Sequence, residues 1–252
     1  MKNILLSLTL SLALSPSFAQ EVNDATTPLH LMKPAYKIPY GVPKKAEVKA
    51  DIDRILTYLE GTTPMVVEDM TTLQPITDYK KIDANSRLKQ GSFCLTSYEW
   101  GVTYSAMLAA GRITGDKRYT DYAEQRMQFL ADIAPYFDKN VLKKGKTPEA
   151  TVRKIVAPAA LDDAGAICCA MIKASKANSS LRLQEQIDRY ADFGLNKELR
   201  LPDGTFSRNR PLKNSLWLDD MFMGLPTEAF SGHYDEAVKH YFGFVRRMFV
   251  PE

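Results

Sequence analysis

Leu216-Trp217-Leu218-Asp219-Asp220-Met221-Phe222-Met223-Gly224 sets two adjacent carboxylates in a run that is otherwise apolar or small. The spacing is helical rather than alternating, and a carboxylate is rarely buried without a partner, so acids on a helix with no polar face need a reason to be there. Ala159-Ala160-Leu161-Asp162-Asp163-Ala164-Gly165-Ala166-Ile167 repeats the pattern, with apolar neighbours around Asp163 at helical spacing. Two apolar helices, each with an Asp-Asp near its start, predict carboxylates converging on one pocket. Adjacent helical side chains diverge by about 100 degrees, so one Asp of each pair should face that pocket and the other should cap or bridge backbone groups.

Working outward, the chain alternates apolar and amphipathic helices. A first amphipathic helix covers 44–60, with Val48, Ile52, Ile55, Leu56 and Leu59 as its stripe and Gly61 as its stop. Residues 62–90 carry scattered turn signals and read as a long functional loop with short elements. An apolar helix over 96–113 ends at Thr114-Gly115-Asp116, which closes it and caps an amphipathic helix over 117–133. Residues 139–154 are basic and loop-like. The acidic helix over 159–174 is followed by an amphipathic one over 181–193. After the turn Pro202-Asp203-Gly204, the helix over 215–225 precedes one over 234–249 whose stripe is Ala237, Val238, Tyr241, Val245 and Met248. With no sustained period of two, the reading is all-α, built from inner and outer helices of stacked hairpins.

The bulk numbers fit one large domain: 252 residues, 45% hydrophobic and 25% charged. A net charge of +3 on scattered basic residues gives no argument for nucleic acid or a membrane surface. Residues 1–19 have the Lys2, apolar core and small residues at Ser17 and Ala19 of a secretory leader cleaved after Ala19, so the mature chain is expected to be exported. Residues 20–43, rich in Pro and Tyr, read as an extended arm before a helical domain over 44–252. Cys94, Cys168 and Cys169 lack ligand spacing and read as core-filling residues, and His30, His233 and His240 read as surface residues.

Four segments together carry a resemblance: TSYEWGVTYSAMLAAGRITGDKRYTDYA at 96–123, LDDAGA at 161–166, DGTFSRNRP at 203–211 and LWLDDMFMGLP at 216–226. In that order they resemble the unsaturated rhamnogalacturonyl hydrolases, glycoside hydrolase family 105, relatives of the unsaturated glucuronyl hydrolases of family 88. The resemblance covers 44–252. It implies an (α/α) toroid of six hairpins, of which this chain holds the first ones, a pectin-degrading context, and no metal or other cofactor. Family members continue well past the position of Glu252.

The substrate so implied is an oligosaccharide made by a lyase, whose terminal uronate has a double bond between ring carbons 4 and 5. That bond is an enol ether. Protonation at carbon 4, addition of water at carbon 5 and collapse of the hemiketal release the next sugar, and one carboxyl group can serve as acid and then as base. By motif position the resemblance gives this role to Asp219, with Asp163 as the second carboxylate. Asp162 and Asp220 become supporting candidates, Arg208 and Arg210 candidate partners of the uronate carboxylate, and Tyr98, Trp100 and Trp217 candidate sugar-stacking residues. Two other readings remain open. One is ordinary inverting hydrolysis on the same helices, which needs two acids about 6.5–9.5 Å apart. The other is a carbohydrate-binding fragment without catalysis.

Overall fold

The computed structural model describes residues 26–28, 31–32 and 42–249. The expected leader, most of the arm and His30 lie outside them. The chain divides into two compact units, residues 1–48 and 49–252. The first unit's described residues are two short stretches and the opening turn of α1 (Lys45–Thr62), where the Val48 N–H donates to the Lys44 carbonyl.

The second unit is built from helices: α2 (Tyr98–Thr114), α3 (Lys117–Asn140), α4 (Ala150–Val156), α5 (Leu161–Ala177), α6 (Gln184–Asp192), α7 (Asp219–Met223), α8 (Leu225–Phe230) and α9 (Tyr234–Met248). Helices α2 with α3 and α5 with α6 pair as expected; α9, expected against a 215–225 helix, packs mainly on α8, which lies beyond that span, while the apolar members α2, α5, α7 and α8 pack on one another. Gly115, left-handed at φ 73°, closes α2, and Asp116 accepts the Arg118 N–H to start α3. Among the described residues no single helix is long and apolar enough to cross a membrane.

Two close approaches set the inner row. A Cβ on Gly101 of α2 would lie 2.2 Å from the Ile167 nitrogen of α5, and one on Gly165 of α5 would lie 1.9 Å from the Met223 carbonyl oxygen of α7. Backbones therefore touch at both crossings, and α5 is held between its neighbours. Its Asp-Asp and that of α7 are brought to the same end of the row by this packing.

The structure corrects several sequence expectations. Residues 62–90 contain a small antiparallel pair, β1 (Val67–Asp69) and β2 (Ser86–Leu88), with Val67 opposite Leu88. Three-residue strands are too short to show a period of two. Gly61 lies inside α1, and Val48 and Ile55 of its expected stripe are exposed. Helix α3 runs on through Pro135, because Ala134 and Phe137 continue its buried face. The basic stretch 139–154 ends in α4, capped by Glu149 accepting the Thr151 N–H and buried through Val152, Ile155 and Val156.

The acidic stretch 215–225 is helical only from Asp219. Before it Ser215 forms an isolated bridge with Arg208 through two exchanged backbone hydrogen bonds, Leu218 lies in a turn, and Trp217, Leu218 and Phe222 are exposed. On α9 the inward face is Ala237, His240, Gly243 and Phe244, while Val238, Tyr241 and Met248 face solvent. His240 is fully buried, stacked on Phe206 with ring centroids 3.7 Å apart, and so is no surface residue. Cys168 and Cys169 are buried free thiols, as expected of core residues.

Gly101→Ala and Gly165→Ala are each expected to lower stability by about 1–3 kcal/mol, since a methyl group must push packed backbones away from each other. Gly61→Ala, whose Cβ meets open space, is expected to raise it by about 0.5–1 kcal/mol. Thermal and denaturant melts check this, and equal effects at the three positions would contradict the crossings.

Candidate active site

One side chain gathers the two acidic segments. Arg208 comes from the segment after the turn at Gly204, anchored on its far side by the Phe206 N–H donating to His240 Nδ1 (3.2 Å). The His240 Nε2 lies 3.3 Å from buried Glu228. From this anchored backbone the guanidinium reaches between the first turns of α5 and α7. Its Nε donates to both oxygens of Asp220 (3.1 and 3.0 Å), Nη1 and Nη2 donate to Asp162 (3.1 and 2.9 Å), and Nη2 donates to Asp219 (3.0 Å). Arg210 adds a bond to Asp162 at 3.0 Å. The planar fork of arginine is what allows one cation to serve three carboxylates.

Burial divides these carboxylates. Side-chain exposure is 2% for Asp220, 21% for Asp162 and 41% for Asp219, so Asp219 is the member most open to an incoming ligand. Burial raises Asp220's carboxyl above its ordinary range despite Arg208, with the charges of Asp219 and Asp162 adding to the rise. For Arg208, burial opposes the charge, but the bonds from Asp220 and Asp162 outweigh it and hold the guanidinium above its ordinary value. Asp162, Asp219 and Asp220 offer oxygens within 4.8 Å of one another, as a cation site would. Here the guanidinium stands in that place.

The expectation that one Asp of each pair would turn away fails for α7, where both Asp219 and Asp220 bond Arg208, and holds for α5, where Asp162 bonds Arg208 and Asp163 accepts a backbone N–H. Between Asp162 and Asp163, the one joined to Asp219 is Asp162. Asp163 is buried beside it, accepting the Ala159 N–H at 3.0 Å with the Lys154 ammonium 4.0 Å away. The paired acid expected near Asp219 is thus the first of LDDAGA rather than the second. Arg208 and Arg210, expected to receive a uronate, are already engaged by the protein's own carboxylates.

Beside the cluster lies a cleft of about 620 Å³, whose wall includes Tyr98, Asp162, Asp163, Arg208 and Arg210. Asp219 is not one of the wall residues but is joined to the wall by its ion pair with Arg208. Tyr98 is half-exposed, and its hydroxyl is pushed up first by Glu99, with Asp162 and Asp219 adding. Trp217 lies with its ring 4.4 Å from the Arg208 guanidinium carbon and donates its indole N–H to the Arg210 carbonyl. Trp100 does not line the cleft: it is buried between Phe93 and Tyr104 and borders an adjoining apolar cavity against α1 that shares Ser97, Glu99 and Lys154 with it.

Three wall residues escaped the sequence reading. Arg153 and Lys154 ride on α4, the helix hidden in a basic stretch, and among the described residues Arg153 has no acidic partner. Glu198 follows the π-helical turn Phe193–Lys197 at the end of α6. Its Oε1 accepts the Leu199 N–H at 3.0 Å, and its Oε2 is shielded from water. Burial pushes the Glu198 carboxyl up to about 7; the Leu199 N–H, Arg208 and the Leu161 N–H pull against this, and the Asp220 charge supports it. In sequence, Glu198 looks like any surface acid between Lys197 and Arg200.

A search of curated proteins returns no match. A family model described as Glycosyl Hydrolase Family 88 matches residues 65–249, a span that includes both acidic segments, Arg208 and Glu198. With all-α hairpins and a carboxylate-rich cleft in the matched span, the chain belongs to Glycosyl Hydrolase Family 88, the glycoside hydrolases, whose substrates are oligosaccharides.

Proposed function

We propose that this chain is a glycosidase of the unsaturated rhamnogalacturonyl type, exported to remove the unsaturated uronic acid from pectin lyase products. Within family 88 membership, the observation that carries the reading is the Arg208 cluster. It presents one half-exposed carboxylate, Asp219, bonded to Arg208 in the wall of a cleft that also holds Arg153, a cation with no acidic partner among the described residues. A uronate is an anion with a reactive double bond, and it needs both features.

In this reading the uronate carboxylate meets Arg153, with Lys154 beside it, since Arg208 and Arg210 are committed to Asp162, Asp219 and Asp220. Tyr98 and the outer face of Trp217 border the sugar. A carboxyl group protonates carbon 4, and positive charge develops at carbon 5 and the ring oxygen. Water adds at carbon 5 as a carboxylate takes its proton, and the hemiketal opens to release the aglycone. Asp219, accepting from Arg208, is the carboxylate that activates the water, and in the simplest cycle it returns as the acid.

Incubation with an unsaturated rhamnogalacturonan disaccharide is expected to remove the ultraviolet absorbance of the conjugated double bond. Persistence of that absorbance while a saturated substrate is cleaved would point to ordinary inverting hydrolysis instead. Asp219→Asn, folded by circular dichroism, is expected to lower kcat by about 10²- to 10⁴-fold, and wild-type turnover in that variant would remove Asp219 from the reaction.

Arg153→Gln is expected to raise KM about tenfold, equivalent to about 1.4 kcal/mol of binding, with a smaller change in kcat. An unchanged KM would transfer the uronate to another cation.

A further inference from the structure

An arginine has five N–H bonds, one on Nε and two on each terminal nitrogen. In Arg208 they are used unevenly. Nε meets both oxygens of Asp220 and Nη1 meets one oxygen of Asp162, but Nη2 meets three oxygens: Asp220 Oδ1 at 2.5 Å, Asp162 Oδ1 at 2.9 Å and Asp219 Oδ2 at 3.0 Å. Two hydrogens cannot make three separate bonds, so one of them is shared. Asp220 and Asp162 each hold a second nitrogen of the guanidinium, whereas Asp219 holds Nη2 alone. Asp219 is therefore the carboxylate that this cation holds most loosely. The guanidinium has little freedom to redistribute these bonds, because Arg208 and Ser215 exchange backbone hydrogen bonds at 2.8 and 2.9 Å and the Trp217 ring lies 4.4 Å away. Asp220 is buried, and Asp162 is anchored in turn by Arg210 at 3.0 Å.

We infer that Asp162 is a positioning residue for Asp219: by occupying the fork of Nη1 and Nη2 it keeps Arg208 from locking Asp219 as a carboxylate, an assignment that rests on the hydration reading. In that reading the Asp219 O–H bond breaks as a C–H bond forms at carbon 4 from the electron pair of the double bond. The cation left at carbon 5 is taken by water, whose O–C bond forms while its proton passes to Asp219. Asp219 thus begins and ends each cycle as the acid, and no other reactant is needed. A cation beside a carboxyl group favours its ionised form, so an Arg208 free to give Asp219 hydrogens of its own would oppose the first step.

The charges of the cluster agree with this role. Asp219 is faced by Arg208, by Asp220 beside it on α7, by Asp162 of α5 and by the Tyr98 hydroxyl of α2. With the three acids ionised, three negative charges meet one positive charge on Arg208, and the balance is two negative. Without the charge of Asp162 the balance is one negative, and without Arg208 as well it is two negative again.

The test compares the full chain with Asp162→Asn, which keeps the size of the side chain, removes its charge and leaves one acceptor oxygen for two nitrogens. A neighbouring charge alters a carboxyl group's proton affinity by about 1–3 powers of ten, so kcat on the unsaturated rhamnogalacturonan disaccharide is expected to fall by about 10- to 10³-fold, with little change in KM. Adding Arg208→Gln is expected to recover about tenfold of that loss, because the cation that captured Asp219 is gone. A purely structural role predicts the opposite, since the double variant has lost both halves of the clamp. Circular dichroism checks the folding of each variant, and Asp162→Ser, which keeps a polar group in the first turn of α5, takes the place of an Asp162→Asn that does not fold. A crystal structure of the single variant, which requires no substrate, is expected to show Asp219 accepting an unshared hydrogen from Arg208. A single variant with the wild-type kcat, a double variant no faster than the single, or an unchanged contact between Asp219 and Nη2 in that crystal structure overturns the inference. Failure of the wild type to consume the disaccharide overturns the hydration reading itself, and the crystal structure then still decides whether Asp162 restrains the bond between Arg208 and Asp219.

Discussion

One guanidinium neutralises what would otherwise be an untenable concentration of negative charge. Three carboxylates from the starts of two helices cannot share so small a volume in a poorly solvated place without a cation among them, because the repulsion between like charges grows as the local dielectric falls. Arg208 supplies that cation, and the rest of the site follows from where it can stand. Its segment must run close to both helix starts, so Phe206 is pinned from behind by His240. Helix α7 must lie directly on α5, so Gly165 carries no side chain where Met223 passes. Trp217 covers the guanidinium and limits its access to water.

The helical architecture was legible because it depends on patterns that many residues repeat. Alternation of apolar and amphipathic segments identified inner and outer helices, and Gly115 with Asp116 marked a boundary that the structure keeps. What was illegible was short or doubly determined. Helix α4 is two turns long and hidden among lysines, and β1 and β2 have three residues each. On α9, Val238, Tyr241 and Met248 look like a core stripe. The true inward face is chosen by Gly243, which lets Thr205 approach, and by the stacking of His240 on Phe206. Neither contact leaves a periodic trace in the sequence.

The site was only partially legible, for a related reason. Acids placed in apolar runs are unusual enough to be noticed, and Asp162, Asp219 and Asp220 do converge. Which Asp of LDDAGA turns toward Asp219 depends on a side-chain contact made by a residue 46 positions away. The arginines were noticed as cations, yet a sequence does not say whether a cation is free or already engaged. Glu198 and Arg153 carry no local signature at all, because burial and isolation are properties of the folded surroundings.

The same bridge that balances the charges also makes the site's two halves interdependent in time. The acids of α5 and those of α7 lie on segments more than fifty residues apart, and neither set is compensated until both helices and the Arg208 segment have docked. Partial opening of α7 would strand Arg208 and expose uncompensated acids together, so intermediate openings are penalised relative to none or all. The clustered carboxylates therefore belong to one cooperative unit, which is either assembled or lost as a whole, although the chain between them is long and varied.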